Sequence, residues 1–214
     1  MLVEERMTRN PVTAKVDTPV TEAQAVMRRE KIHHLPVVDR DGKLVGIVTE
    51  KDLLYASPSP ATSLSVYEIT YLLGKLTVEK VMTKDLITIK EDTPLEDAAR
   101  IMADNNIGGL PVVRDGMLVG IITESDLFRI FVELFGARQK GVRLTMYIPQ
   151  ERGELARISS VIAEHGGNII AFGSILGEDP TNVLCMIKVN GIPKESLVKL
   201  MEPCNCKVID VREM

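Results

Sequence analysis

Gly46-Ile47-Val48-Thr49-Glu50-Lys51-Asp52 returns 74 residues later as Gly120-Ile121-Ile122-Thr123-Glu124-Ser125-Asp126. In both places a short β-branched apolar run meets a Thr-x-x-Asp box followed by further apolar residues. This is the pattern of a strand that ends where a helix begins. The likeness extends toward the N-terminus. Leu44-Val45-Gly46-Ile47 matches Leu118-Val119-Gly120-Ile121, and Asp41-Gly42 matches Asp115-Gly116. Leu35-Pro36-Val37-Val38 matches Leu110-Pro111-Val112-Val113, Asp17-Thr18-Pro19 matches Asp92-Thr93-Pro94, and Met7-Thr8 matches Met82-Thr83. The offset is 75 residues before a one-residue deletion near Arg40 and 74 after it. Two copies are too few for a solenoid and point to two similar lobes about a pseudo-twofold axis.

Each copy reads as strand, helix, strand, strand, helix. Thr18 is expected to N-cap a helix whose first residue is Pro19, with Val20, Ala23, Val26 and Met27 at helical spacing. Leu35–Val38 and Leu44–Val48 read as an antiparallel hairpin around Asp39-Arg40-Asp41-Gly42. Thr49 then opens a second helix, and the second copy repeats the unit from Ile87 to about Phe135. A polar Ser57–Ser63 loop and a helix Val66–Lys75, with Ile69, Leu72, Leu73 and Leu76 on one side, are expected between the copies.

Gly136–Gly141 reads as a linker, and a different pattern follows. Val142–Ile148 alternates like a half-buried strand, Leu155–His165 is helical, and Gly166-Gly167 ends that helix. Strands over Asn168–Leu176 and Asn182–Val189, a helix over Pro193–Met201 and a strand over Lys207–Val211 complete a βαββαβ order. That order predicts a ferredoxin-like, four-stranded antiparallel sheet with helices on one face. The fold class is therefore α+β. The expected divisions are 1–56 and 77–136 for the two repeats, 57–76 and 137–141 for linkers, and 142–214 for the last domain.

Composition narrows the function. Of 214 residues, 45% are hydrophobic, too many for a disordered chain, yet no apolar run reaches the length of a membrane span. Met1–Arg6 lacks a cationic lead and an apolar stretch, so no secretory signal is expected. The net charge of −4 gives no general attraction for nucleic acid or anionic lipid. Three cysteines, an odd number, argue against a disulfide framework and fit a reducing, cytoplasmic setting. Cys204-Asn205-Cys206 and Cys185 lack zinc-ligand spacing, so no metal is expected. No Gly-x-Ser-x-Gly, His-Glu-x-x-His or Walker loop is present, so no catalytic constellation and no catalytic cofactor are expected.

The Thr-x-x-Asp boxes have two readings. As capping boxes they need no ligand. As binding elements, Thr49 and Thr123 could bond phosphate or ribose, and Asp52 and Asp126 could accept from ribose hydroxyls. Their duplication in register favours binding.

The repeat resembles a pair of CBS domains, the Bateman module, over residues 1 to about 136. The residues that carry the resemblance are Met7-Thr8, Asp17-Thr18-Pro19, Leu35–Asp39 and both Gly-x-x-Thr-x-x-Asp stretches. The resemblance implies two lobes packed through their sheets, with two clefts for adenine-containing ligands such as AMP, ADP, ATP or S-adenosylmethionine, or for cyclic di-AMP in some relatives. By that likeness Asp52 and Asp126 hold ribose, and Thr49 and Thr123 hold ribose or phosphate. Val12, Thr13, Ala14 and Pro36, with Ile87, Thr88, Ile89 and Pro111, line the adenine pockets. The first copy has His33, His34 and Lys51 where the second has Gly108, Gly109 and Ser125, so phosphate-facing charge is expected from those three residues.

The last domain resembles an ACT domain through Ile148–Leu155, Ile158 and Gly167-Asn168-Ile169, although Gln150 stands at the usual acidic position. Gly153 and Asn168 are the implied ligand or interface positions, with an amino acid as the implied ligand. The order of domains resembles the bacterial acetoin-utilisation accessory family. The expectation is a non-catalytic, homodimeric sensor of adenine nucleotides acting on a client protein. The alternatives are a ligand-free interaction scaffold and a cyclic di-AMP receptor.

Overall fold

The computed structural model describes residues 1–56, 65, 68 and 74–214. The expected Ser57–Ser63 loop and most of the expected Val66–Lys75 helix lie outside the described residues. Contacts divide the chain into two compact units, Met1–Leu127 and Phe128–Met214.

Within the first unit, copy one supplies β2 (Ala14–Lys15), α1 (Val20–Glu30), β3 (His34–Val38), β4 (Leu44–Thr49) and α2 (Glu50–Tyr55). β2 pairs parallel to β3, and β3 pairs antiparallel to β4. The core of this lobe is Val20, Ala23 and Met27 of α1 against Leu35, Val37 and Val48 of the sheet, with Ala14 and Leu53. Copy two supplies α3 (Leu95–Asn105), β5 (Gly109–Arg114), β6 (Met117–Thr123) and α4 (Glu124–Leu134), with Ile89 bridging parallel to Val112 in the place of β2. The gap in the repeat has a local cause. In copy two Arg114 pairs with Met117, and Asp115 (φ 51°) and Gly116 (φ 80°) form a two-residue turn with both φ positive, the type I′ arrangement. In copy one Val38 pairs with Leu44, so the turn is longer.

The expected N-cap at Thr18 is not formed. Pro19 occupies the N-cap position without a side-chain bond, and Thr18 Oγ1 instead accepts from Lys15 N at 3.0 Å. Thr93 and Pro94 do the same, with Lys90 N donating at 3.2 Å. The proline has no N–H, and the Thr hydroxyl closes the turn before it. The first helical N–H of each copy is satisfied by the segment leading into the other copy: Val20 N donates to Leu76 O at 2.8 Å, and Leu95 N to Met1 O at 3.2 Å.

The segments that lead into the copies are thus exchanged. β1 (Thr8–Arg9) pairs antiparallel with β6 of copy two, and Thr83 bridges Ile47 of copy one. The glycines of the repeated motif serve this exchange. A Cβ on Gly46 would strike the Met82 side chain, and one on Gly120 would strike Met7. Each glycine leaves room for the methionine of the opposite leading segment.

The second unit holds β7 (Val142–Pro149), α5 (Glu154–Glu164), β8 (Asn168–Leu176), β9 (Asn182–Asn190), α6 (Lys194–Met201) and β10 (Lys207–Glu213). The antiparallel sheet has the order β10-β7-β9-β8. One face buries Leu144 and Met146 of β7 and Ile187 of β9 against Ile158 and Ile162 of α5 and Leu197 and Met201 of α6. The contact division falls inside α4, earlier than the expected linker at 137–141, because Phe131 and Phe135 near its end lie with the residues of the other sheet face.

Candidate functional site

Where β4 ends, Thr49 caps α2. Thr49 N and Oγ1 donate to Asp52 Oδ2 at 2.8 and 2.7 Å, and Asp52 N donates to Thr49 Oγ1 at 3.3 Å. Both bonds that Asp52 accepts in the box fall on Oδ2. Copy two repeats the arrangement: Thr123 N and Oγ1 donate to Asp126 Oδ2 at 2.9 and 2.7 Å. Asp126 is only 9% exposed, whereas Asp52 is half-buried. The capping function is therefore realised in both copies.

The first box also borders a cleft of about 330 Å³. Thr49, Lys51, Asp52, Ile47 and His34 come from copy one, and Ile87, Asn106, Ile107, Gly108, Gly109 and Pro111 from copy two. Thr83, Asp85 and Leu86, from the segment leading into copy two, complete it. The lining combines apolar side chains with two carboxylates, two threonine hydroxyls and the Lys51 ammonium, which lies 5.8 Å from the centroid of the Tyr55 ring. Such a cleft suits a flat apolar ring joined to a polyhydroxylated, weakly charged group.

His34 borders this cleft. Its ring lies over Gly108 and Gly109, and Cβ atoms built there would sit 3.1–3.3 Å from it. Burial, and secondarily the neighbouring His33, push the His34 pKa down, while Glu124 and Asp52 oppose the shift. His34 therefore faces the cleft as a neutral imidazole near pH 7.

Of the residues singled out in the sequence, Thr49, Asp52, His34, Lys51, Ile87 and Pro111 line one cleft. His33 does not: its Nδ1 lies 2.7 Å from Glu50 Oε2 on the exposed surface. Ala14 is part of the lobe core, Ile89 is buried and hydrogen-bonds through its N–H to Pro111 O at 3.1 Å, and Thr88 is exposed. The alternation that exposes Thr13 and Lys15 in copy one, and Thr88 and Lys90 in copy two, turns Ala14 and Ile89 inward. Val12 and Thr13 are exposed, and Pro36 is buried in β3. Thr83, Asp85 and Asn106 were missed by sequence reasoning. Met82-Thr83 stood out as repeated, but repetition alone gave it no role.

Gly153 and Asn168 are not brought together in one chain. Gly153 (φ 92°) opens α5 after the Pro149 end of β7, whereas Asn168 pairs with Asn190 beside the Val142 end. Eight residues of strand separate these ends by about 23 Å. Cys185 lies in the core, and burial pushes its thiol up to about 12; Cys206 is raised to about 11 for the same reason. Among the described residues no group of three or more His, Cys, Asp or Glu side chains is placed to hold a metal ion.

Comparison with known proteins places the N-terminal repeats. The CBS domain profile matches residues 3–59 and 78–133, together more than half of the chain. This chain belongs to the CBS domain family. AcuB from Vibrio cholerae is 35% identical with a TM-score of 0.53, over 63% of this chain and 92% of that one. The CBS domain pair of protein MJ0100, solved with 5′-methylthioadenosine and S-adenosyl-L-methionine, is 35% identical with a TM-score of 0.52, over 65% and 98%. CBSX2, solved with AMP, is 31% identical with a TM-score of 0.52, over 64% and 98%.

Proposed function

We propose that this protein is a non-catalytic regulatory sensor whose Thr49/Asp52 cleft binds an adenosine-containing ligand. The observation that carries the reading is the convergence on one cleft of the Thr49-Asp52 box from copy one and an apolar wall, Ile87 and Pro111, from copy two. The relatives crystallised with AMP, and with 5′-methylthioadenosine and S-adenosylmethionine, support it. Adenine rests on Ile87 and Pro111, Asp52 accepts from ribose hydroxyls, and Lys51 with neutral His34 meets the 5′ substituent. One lysine set against Asp52 and Asp85 favours a 5′ group of low negative charge, so AMP and S-adenosylmethionine should bind more tightly than ATP. Thr123 and Asp126, with Val12, Thr13 and Pro36, form the related second position.

The C-terminal βαββαβ domain is read as an ACT-type module that pairs two chains, with any amino-acid ligand at the Gly153 turn of one chain and Asn168 of its partner. A cytoplasmic homodimer of the acetoin-utilisation accessory type, acting on a client protein, is the physiological form this reading implies. Ligand binding biases the client only through its differential affinity for two arrangements. The completed capping boxes favour a second reading, an empty interaction scaffold. Melting temperature against AMP, ADP, ATP, S-adenosylmethionine and cyclic di-AMP separates the two. A ligand at 100 times its Kd should add about 2.7 kcal/mol. A flat response across the panel supports the scaffold, and a response to cyclic di-AMP alone supports the dinucleotide receptor.

A further inference from the structure

The sheet of the second unit has a face that the α5/α6 core does not use. Strand alternation places Arg143 and Thr145 of β7 and Met186 and Lys188 of β9 on it, with Arg143 directly opposite Lys188 and Thr145 opposite Met186. Phe131 and Phe135, their ring centroids 4.5 Å apart, stand over this face. Gly173 of β8 gives Phe135 its place, since a Cβ there would come within 2.6 Å of the ring. A cavity of about 500 Å³ lies between them, walled mainly by apolar side chains.

Two polar groups at this cavity are out of balance. Lys188 is 1% exposed, and its Nζ donates to Gly136 O at 2.9 Å. It forms no ion pair among the described residues, and an ammonium has three protons to donate. Thr145 Oγ1 is buried with no hydrogen-bond partner among the described residues. Arg143 adds a second cation opposite Lys188; its Nη1 reaches Asp210 at 3.2 Å. Burying an ammonium without an anion is costly, and so is burying an idle hydroxyl. No acidic side chain lines the cavity.

We propose that this cavity is a binding site for a small monocarboxylate with an apolar tail and no α-ammonium group. The carboxylate takes the free donors of Lys188 and the Thr145 hydroxyl, and the tail lies among Phe131, Phe135 and Met186. An α-amino acid would bring an ammonium for which the lining has no acceptor of opposite charge. The site is separate from the nucleotide cleft, and neither reading depends on the other.

The test uses the full chain and a fluorescent carboxylate, cis-parinaric acid, displaced by butanoate, hexanoate, octanoate, octanol and leucine. The absence of tryptophan leaves the emission window clear. The acids should displace the probe about fourfold more tightly per added methylene. Octanol and leucine should be at least tenfold weaker than octanoate. Lys188→Met should weaken octanoate at least tenfold and Thr145→Val about threefold. Should Lys188→Met fail to fold, the methyl spectrum of wild-type protein labelled at its methionines decides: octanoate should shift Met186 and Met214, which line the cavity, and leave Met7, Met27 and Met82 in place. Equal displacement by octanol, no displacement by any acid, unchanged affinity in Lys188→Met, or shifts confined to the N-terminal methionines would each overturn the proposal.

Discussion

The two copies of the repeat share a Thr-Asp box but differ at the strand that faces it. Copy one leads into β3 with His33-His34 and copy two into β5 with Gly108-Gly109. The His34 ring lies over the two glycines, within 3.1–3.3 Å of where side chains would begin. A symmetric pair with histidine in both places would put a side chain into space the His34 ring already fills. The lesson is that duplication supplies two equal frameworks, but the region where the lobes meet admits one large ring. The two boxes are thereby given unequal surroundings, with Asp126 more buried than Asp52.

The frameworks themselves should prove equal, and that is the largest effect to test. Gly46→Ala and Gly120→Ala each drive a methyl into Met82 or Met7 of the opposite leading segment, close to the carbonyl of Thr83 or Thr8. Each should cost about 1–3 kcal/mol by overpacking. Denaturant unfolding should find the two costs alike, and Met82→Ala should recover part of the loss in Gly46→Ala but none in Gly120→Ala. Recovery in the wrong variant would break the exchange described above.

That exchange explains how far the sequence could be read. Strand and helix positions were legible because apolar periodicity is local: α1, β3, β4 and all six C-terminal elements lie within about two residues of their expected bounds. The partner of each leading segment was not legible. Met7-Thr8 and Met82-Thr83 align with each other, and alignment says nothing about which sheet each joins. The candidate positions chosen by residue chemistry, Thr49, Asp52 and Lys51, meet at one cleft. The sequence did not show where strand alternation would turn a side chain inward, as at Ala14 and Ile89, or where a neighbour would engage it, as at His33 with Glu50. Asp85 was hidden because its counterpart in copy one is Asn10, so the repeat did not mark it.

The boxes should separate next. Removing Asp52 or Asp126 takes away the acceptor for a Thr N–H and hydroxyl, at about 1 kcal/mol for an exposed cap. Asp126 is the more buried of the two, so Asp126→Ala should cost more, about 1–2 kcal/mol, because the groups it leaves unpaired are further from water. Chemical denaturation measures both costs, and calorimetric titration with AMP measures what remains of binding. Asp52→Ala should lose affinity at the cleft by more than tenfold despite its smaller effect on folding. If affinity and stability fall together in both variants, the boxes act only as caps.

The smallest effect belongs to His34, and pH isolates it. Its folded pKa is held below the ordinary value, first by burial and then by His33, against the opposing pull of Glu124 and Asp52. As pH falls through the ordinary histidine pKa of about 6.5, the unfolded chain takes up a proton that the folded chain refuses. Stability therefore drops as pH falls below about 6.5, and this contribution levels off once the lowered folded pKa has been passed. A single group can contribute no more than about 1.4 kcal/mol per pH unit. His34→Gln keeps a polar side chain over Gly108 and Gly109 without the titration, so its unfolding free energy between pH 7 and 5 should fall less than that of the wild type. Gly109→Ala adds a second check, because the ring must move to admit the methyl and gain exposure to water; the pH difference from His34→Gln should shrink. If the wild type and His34→Gln lose stability in parallel, the ring is not the source of the inequality between the copies, and the glycines opposite it have some other cause.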